Sequence, residues 1–212
     1  MESGCLQKEI GKVTHIKCLT SPPRFSPQET FGGDFGTVIC LHDKPNKMMI
    51  DGNFKITTDQ LTLTFTEGQR QDFFIRHTPH RVEIIYPPQT DFEHLQPWLF
   101  KVVTEALRKQ AKAILLPRIE ELASSHGFHY TRLSINSART RWGSCSNKGH
   151  INLSLYLMIL PLRLSDYVLL HELCHTQEMN HGPRFWTLMD KVTQRQSGTL
   201  RNELRHYPSP FR

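Results

Sequence analysis

Hydrophobic and polar positions follow two different periods along this chain, and the change falls near residue 95. Before it, short apolar runs alternate with polar residues, most clearly at Leu61-Thr62-Leu63-Thr64-Phe65, as a half-buried β-strand requires. A hairpin connection at Thr78-Pro79-His80 joins two of these runs, so we expect a small antiparallel sheet. The predicted strands cover 37–41, 54–57, 61–65, 72–75 and 81–86.

From Trp98 to Ser125 the apolar residues recur at every third or fourth position, which predicts one long amphipathic helix. Pro117 lies inside this pattern and has no amide hydrogen to donate, so the helix is expected to kink or to split there. Gly127 is expected to end it. Further strands are predicted over 130–136, 141–146 and 150–153. The fold class predicted by these elements is α+β.

The last third of the chain is predicted to be mainly helical. Ser165, followed by Asp166, is typical of a helix N-terminus and predicts a helix that begins about one turn before His171. Gly182-Pro183 is expected to stop that helix and to begin the next. We therefore divide the chain into a flexible leader (1–30), a β-rich N-terminal subdomain (31–95) and a catalytic domain (96–212).

The predicted helix carries a His-Glu-x-x-His pattern, His171-Glu172-Leu173-Cys174-His175. Residues four apart lie on one face of an α-helix, so His171 and His175 can offer two imidazole nitrogens to one zinc ion. Glu172 follows the first histidine directly and is placed to take a proton from the hydrolytic water as a general base. The pattern indicates a metal-dependent hydrolase.

A catalytic zinc site needs a third protein ligand, for which His181, Glu178, Asp190 and Glu203 are the candidates. We favour His181, because a turn at Gly182-Pro183 can bring its imidazole to the metal from a second direction. A structural zinc site would add a fourth strong ligand, and Cys174 is the nearest cysteine. Cys174 lies to one side of the histidine pair, so we expect it to pack in the core.

Composition and charge indicate where the protein is located in the cell and what kind of partner it binds. No apolar run approaches the roughly 20 residues that span a bilayer, and residues 1–23 lack the apolar core of a secretory signal. The five cysteines are scattered and never form a C-x-x-C pair, so we expect a cytoplasmic protein. Residues 96–212 carry 16 Lys and Arg against 8 Asp and Glu, which favours an anionic partner, although a solvated basic surface explains the same imbalance.

The segment from Arg139 to Ser146 holds two arginines, a tryptophan and several hydroxyl groups. One interpretation is a strand with Trp142 as an anchor in the core. The alternative is a strand along the active-site cleft, with Arg139 or Arg141 offering planar donors to the substrate and with Trp142 and Ser144 beside them.

Three segments together resemble the YgjP-like family of metal-dependent hydrolases, which is related to the WLM and SprT-like zinc metallopeptidases. They are Arg139 to Ser146, Tyr167 to His175, and Asn180-His181 followed by Phe185-Trp186. The resemblance implies a β-rich N-terminal part followed by a zincin-like metallopeptidase domain. It also implies that His171, His175 and His181 bind one Zn²⁺ and that Glu172 is the catalytic carboxylate.

Three functions are compatible with these observations. The first is a zinc metallopeptidase that acts on a peptide, and the second is a metal-dependent nucleoside-triphosphate pyrophosphohydrolase, because some family members are described in that way. The third is a non-catalytic basic module that binds nucleic acid or a protein and holds a structural zinc. The metallopeptidase is the preferred hypothesis.

Overall fold

The computed structural model describes residues 49–207. These residues form two small β-sheets and four α-helices, so the predicted α+β class is confirmed. The predicted leader and the strand at 37–41 lie outside the described residues. In chain order the elements are β1 (Lys55–Thr57), β2 (Thr62–Glu67), β3 (Phe74–Thr78), β4 (Arg81–Tyr86), α1 (Gln96–His126), β5 (Arg132–Asn136), β6 (Gly143–Cys145), β7 (His150–Ser154), a 3-10 helix (Leu155–Ile159), α2 (Leu162–Cys174), α3 (Pro183–Val192) and α4 (Ser197–His206).

The first sheet has the strand order β1-β2-β4-β3 and is mixed, so the prediction of an antiparallel sheet was wrong. β3 and β4 form the expected antiparallel hairpin, but β2 pairs with β4 in parallel, with Leu63 opposite Val82. The alternating pattern was correct about the buried face, since Leu63, Val82 and Ile84 are fully buried. Periodicity specifies which face of a strand is buried and not which strand lies next to it.

Helix α1 continues through Pro117 for 31 residues, so the predicted split does not occur. The apolar stripe decides this outcome, because Leu115 and Ile119 on either side of the proline are fully buried. Gly127 ends the helix as predicted, in the left-handed conformation with φ 71°, where a residue without a Cβ atom is least strained. Gln110 connects α1 to the first sheet by donating to the carbonyl of Thr78 at 3.0 Å.

The second sheet has the strand order β5-β7-β6, with β6 at one edge. β7 is its central strand, parallel to β5 and antiparallel to β6. Ile151 and Leu153 of β7 are fully buried on the face that turns toward the helices. This arrangement places β6 directly beside α2, which carries the His-Glu-x-x-His pattern.

Helix α2 begins at Leu162, nine residues before His171, and its N-terminal contacts come from a distant loop. The carboxylate of Asp59, between β1 and β2, accepts the amide hydrogen of Leu162 at 2.9 Å. The predicted N-cap at Ser165 was wrong, since the Ser165 hydroxyl is buried and donates to the carbonyl of Leu157 at 2.7 Å. A cap supplied from more than 100 residues away leaves no local pattern in the sequence.

The two sides of the boundary predicted at residue 95 share one hydrophobic core. Gln60 joins them as well, because its buried amide nitrogen donates to the carbonyl of Leu160 and to the hydroxyl of Ser165, both at 2.8 Å. The division at residues 95 and 96 stays a prediction. Among the described helices, none combines the length and the apolar character that a membrane span needs.

Candidate metal centre

The last turn of α2 carries the first two predicted ligands. The helix ends at Cys174, and His175 follows as the C-cap with helical dihedral angles, φ −66° and ψ −15°. Its amide nitrogen still donates to the carbonyl of His171 at 3.2 Å, so the spacing of four residues keeps both imidazoles on one face. Their Nε2 atoms are 3.2 Å apart.

The third histidine reaches the same point from a loop. We predicted that Gly182-Pro183 would stop α2, but the helix ends at Cys174, eight residues before Gly182. A turn at residues 175–177 and an irregular segment with a bend at Asn180 lead the chain to His181. The turn is fixed by amide hydrogen bonds from Gln177 and Glu178 to the carbonyl of Cys174. His181 lies at the end of this loop, and its Nε2 atom is 3.0 Å from that of His171.

This geometry fits a metal ion. The ligand atoms of His171, His175 and His181 all lie within 4.8 Å of one another, the only group of three or more metal-binding side chains so close together within residues 49–207. A tetrahedral ion with metal–nitrogen bonds of about 2.0–2.1 Å separates its ligand nitrogens by about 3.3–3.4 Å. Two of the three pairs, at 3.0 and 3.2 Å, are close to that separation. Imidazole nitrogens this close together need a proton or a cation between them, because their lone pairs repel one another.

The protonation of the cluster also suits a metal. His175 donates its Nδ1 hydrogen to the backbone carbonyl of Glu178 at 3.0 Å, which leaves the Nε2 lone pair for a metal ion. Burial, assisted by His175 and His181, lowers the pKa of His171 to about 3, so its imidazole is neutral near pH 7. Burial also lowers the pKa of His175. Neutral imidazoles are the form that binds metals.

Glu172 is the buried acid of the site, with 5% of its surface exposed. Burial raises the pKa of Glu172 to about 8, and the positive charge of Arg141 acts in the opposite direction. Its Oε2 atom is buried and has no hydrogen-bond partner among the described residues. An orphaned carboxylate oxygen beside a candidate metal site is the arrangement that a hydrolytic water would satisfy.

The other candidate ligands lie elsewhere in the described fold. Glu178 contributes its backbone carbonyl to His175 rather than its side chain. Asp190 accepts a hydrogen bond from the Ser197 hydroxyl. Glu203 forms an ion pair with Arg163 on the surface. Cys174 is fully buried, as expected for a core residue, and burial raises the pKa of its thiol to about 12.

Two aromatic residues support the histidine cluster, and the sequence pattern did not reveal their roles. Phe185 is fully buried in α3, and its ring centroid lies 4.6–4.9 Å from the centroids of all three imidazoles. Trp186 stacks on the ring of His181 and donates its indole hydrogen to the carbonyl of the same residue at 3.1 Å. The guanidinium of Arg201 lies 4.6 Å over the indole. Both aromatic residues lie just after Gly182-Pro183 in the sequence, and this closeness to His181 was the only sign that they pack against the histidines.

The segment from Arg139 to Ser146 provides β6 and the approach to it. Arg141 is exposed and close enough to influence the ionisation of Glu172, and Arg139 is also exposed. Trp142 is half-buried against the core. Ser144 lies opposite Asn152 in the sheet, and its side chain points to the face opposite that of Gly143 and Cys145. Substrate binding by Arg139, Arg141, Trp142 and Ser144 stays a prediction.

A histidine cluster built on a His-Glu-x-x-His helix that also carries a buried carboxylate is typical of metal-dependent hydrolases. The family model that matches the chain is that of the YgjP-like metallopeptidase domain, over residues 42–207. This match covers most of the chain, and the protein belongs to the YgjP-like family. It is therefore a metal-dependent hydrolase of the peptidase class.

Two solved structures of archaeal metallopeptidase zymogens are similar to part of the chain. Abylysin of Pyrococcus abyssi is 21% identical, with a TM-score of 0.38 over 42% of this chain and 90% of that one. Jannalysin of Methanocaldococcus jannaschii is 19% identical, with a TM-score of 0.38 over 42% of this chain and 91% of that one. No curated protein matches the chain. The assignment to the family rests on the family model.

Of the three hypotheses for the function, the family supports the metallopeptidase. The family assigns an enzyme, so the non-catalytic module with a structural zinc gains no support. It assigns a peptidase, so neither the nucleotide substrate nor the anionic partner gains support. A divalent metal follows from the metallopeptidase family and from the histidine cluster.

Proposed function

We propose that this protein is a zinc metallopeptidase that holds one zinc ion with His171, His175 and His181 and uses Glu172 as its general base. The observation that carries the proposal is the convergence of three imidazole nitrogens on one point, together with a buried carboxylate on the residue that follows His171. Three imidazoles suit zinc, and three protein ligands leave one coordination position open, as in catalytic rather than structural sites.

Zinc in this site would polarise the scissile carbonyl and lower the pKa of the attacking water. Glu172 accepts a proton from that water through a carboxylate oxygen and passes it to the leaving amine. Burial suits the second step, since an acid with a raised pKa holds the proton well enough to deliver it near neutral pH. The positive charge of Arg141 favours the ionised carboxylate that must act first.

The proposed substrate is an extended peptide bound along β6. This strand pairs only with β7 among the described strands, which leaves its other edge available. An extended segment can add to such an edge through main-chain hydrogen bonds. Because β6 lies beside α2, a peptide in this position would run past the metal centre. Arg139 and Arg141, exposed at the start of the segment, would then contact the peptide.

Metal content gives the first test. Purified protein should bind about one zinc per chain, and His171→Ala or His181→Ala should each lose most of it. His94→Ala is the matched control, because His94 is exposed and its imidazole hydrogen-bonds to Asp91, away from the histidine cluster. Zinc content that is unchanged by either cluster substitution would contradict the ligand assignment.

Turnover gives the second test. Wild-type protein loaded with zinc should cleave members of an unbiased peptide library, as measured by mass spectrometry. Glu172→Gln should keep the zinc but lose turnover by at least about 10²-fold, the usual scale for a general base. A parallel panel of nucleoside triphosphates should show no release of pyrophosphate. Peptidase activity that survives in Glu172→Gln would refute the role of Glu172.

A further inference from the structure

Gly143, at the start of β6, faces the general base of the proposed site. Strand residues alternate between the two faces of a sheet, so Gly143 and Cys145 point in the same direction as the buried residues opposite them, Leu153 and Ile151. That face turns toward α2. A side chain at position 143 would therefore point toward α2, the helix that carries Glu172.

The space at this position is already occupied by the Glu172 side chain. A Cβ atom placed on Gly143 would lie 2.7 Å from both Cγ and Oε1 of Glu172 and 2.9 Å from its Cδ. Non-bonded carbon atoms prefer separations of 3.5–4.0 Å, so even a methyl group would force the carboxylate to move. Glu172 is buried, which limits the directions in which it could move.

The backbone conformation does not explain the glycine. Among the described glycines only Gly127 and Gly149 have a positive φ, so Gly143 has a conformation that any residue could adopt. A glycine in a strand packs no side chain and costs stability. The close approach of Glu172 is the feature of this position that requires one.

We propose that Gly143 is a positioning residue for Glu172: its bare backbone is the surface against which the carboxylate is held beside the histidine cluster. The proposal rests on the function proposed for Glu172. In this proposal, one residue of the segment from Arg139 to Ser146 positions the general base and does not contact the substrate.

A double-mutant cycle on stability tests this contact without any activity measurement. In zinc-free protein, Gly143→Ala should lower the Tm by roughly 5 °C, on the scale of an overpacked site. In a Glu172→Ala background the contacted Cγ, Cδ and Oε1 atoms are gone, and the same substitution should change the Tm by less than about 1 °C. Gly198→Ala is the matched control, because no atom lies within 4 Å of a Cβ placed there.

The catalytic consequence is tested separately. Gly143→Ala should keep its zinc, since the atoms it meets are those of Glu172 and not of the histidines. Its kcat on a cleaved peptide should fall by about 10²-fold with little change in KM, as expected when a catalytic group is displaced by about 1 Å. Loss of the zinc together with the activity would contradict this assignment.

The outcomes distinguish this inference from the proposed function. Equal Tm losses in both backgrounds, or failure of both variants to fold, would overturn the role of Gly143 and leave the role of Glu172 intact. If Gly143→Ala fails to fold and the double variant folds, the contact is supported. Peptidase activity that survives in Glu172→Gln would instead refute the proposed function, whatever the cycle shows.

Discussion

Replacement of Glu172 by glutamine should change how the stability of the zinc-free protein depends on pH. Burial raises the pKa of this carboxyl from 4.5 to about 8, so the native state holds its proton more tightly than the unfolded chain does. Between these two pH values, unfolding releases a proton. The stability that the neutral acid contributes is fully present below pH 4.5 and is lost as the pH rises through 8.

The size of the effect follows from the shift. Each unit of pKa difference corresponds to about 1.4 kcal/mol, so the wild type should lose a few kcal/mol of unfolding free energy, at most about 5, between pH 4.5 and 8 relative to Glu172→Gln. Any constant cost of the glutamine drops out, because only the change with pH is compared. The lowered pKa of His171 has the opposite sign but is present in both proteins.

The assay is urea denaturation of both proteins at pH 5, 6, 7, 8 and 9 in the presence of a chelator, followed by circular dichroism. The difference in unfolding free energy should grow in favour of the glutamine variant up to about pH 8 and then level off. Glu93→Gln, which removes an exposed carboxylate, should give a curve parallel to the wild type. A constant difference between wild type and Glu172→Gln from pH 5 to 8 would refute the burial of an unpaired acid.

Three further outcomes are expected. Trp186→Phe keeps an aromatic ring beside His181 but removes the indole hydrogen bond to its carbonyl, so zinc affinity measured by competition with a chelating dye should fall by about tenfold or more. Gln60→Leu removes the side-chain donor to the carbonyl of Leu160 and one of the donors to the carbonyl of Leu157, and it should cost about 1–3 kcal/mol in urea denaturation, whereas an unchanged midpoint would contradict that contact. Removal of the metal by a chelator should lower the Tm of the wild type but not that of His171→Ala.

The sequence alone determined the features that depend on local spacing. The four-residue interval that places His171 and His175 on one face is a property of the helix itself. The apolar stripe of α1 and the left-handed cap at Gly127 follow from the same kind of local rule, and the structure contains both. The same stripe outweighed Pro117, because burial of a whole helical face stabilises more than one missing backbone hydrogen bond costs.

Only the tertiary structure decided the features that depend on distant contacts. The cap of α2 comes from Asp59, and the pairing of β2 depends on which edge of β4 the hairpin leaves free. His181 was predicted as the third ligand, but its approach depends on a turn that begins at His175 and not at Gly182. The closeness of Gly143 to Glu172 joins a strand to a helix 29 positions away. No periodicity records such a contact, because it exists only when two separately specified elements pack together.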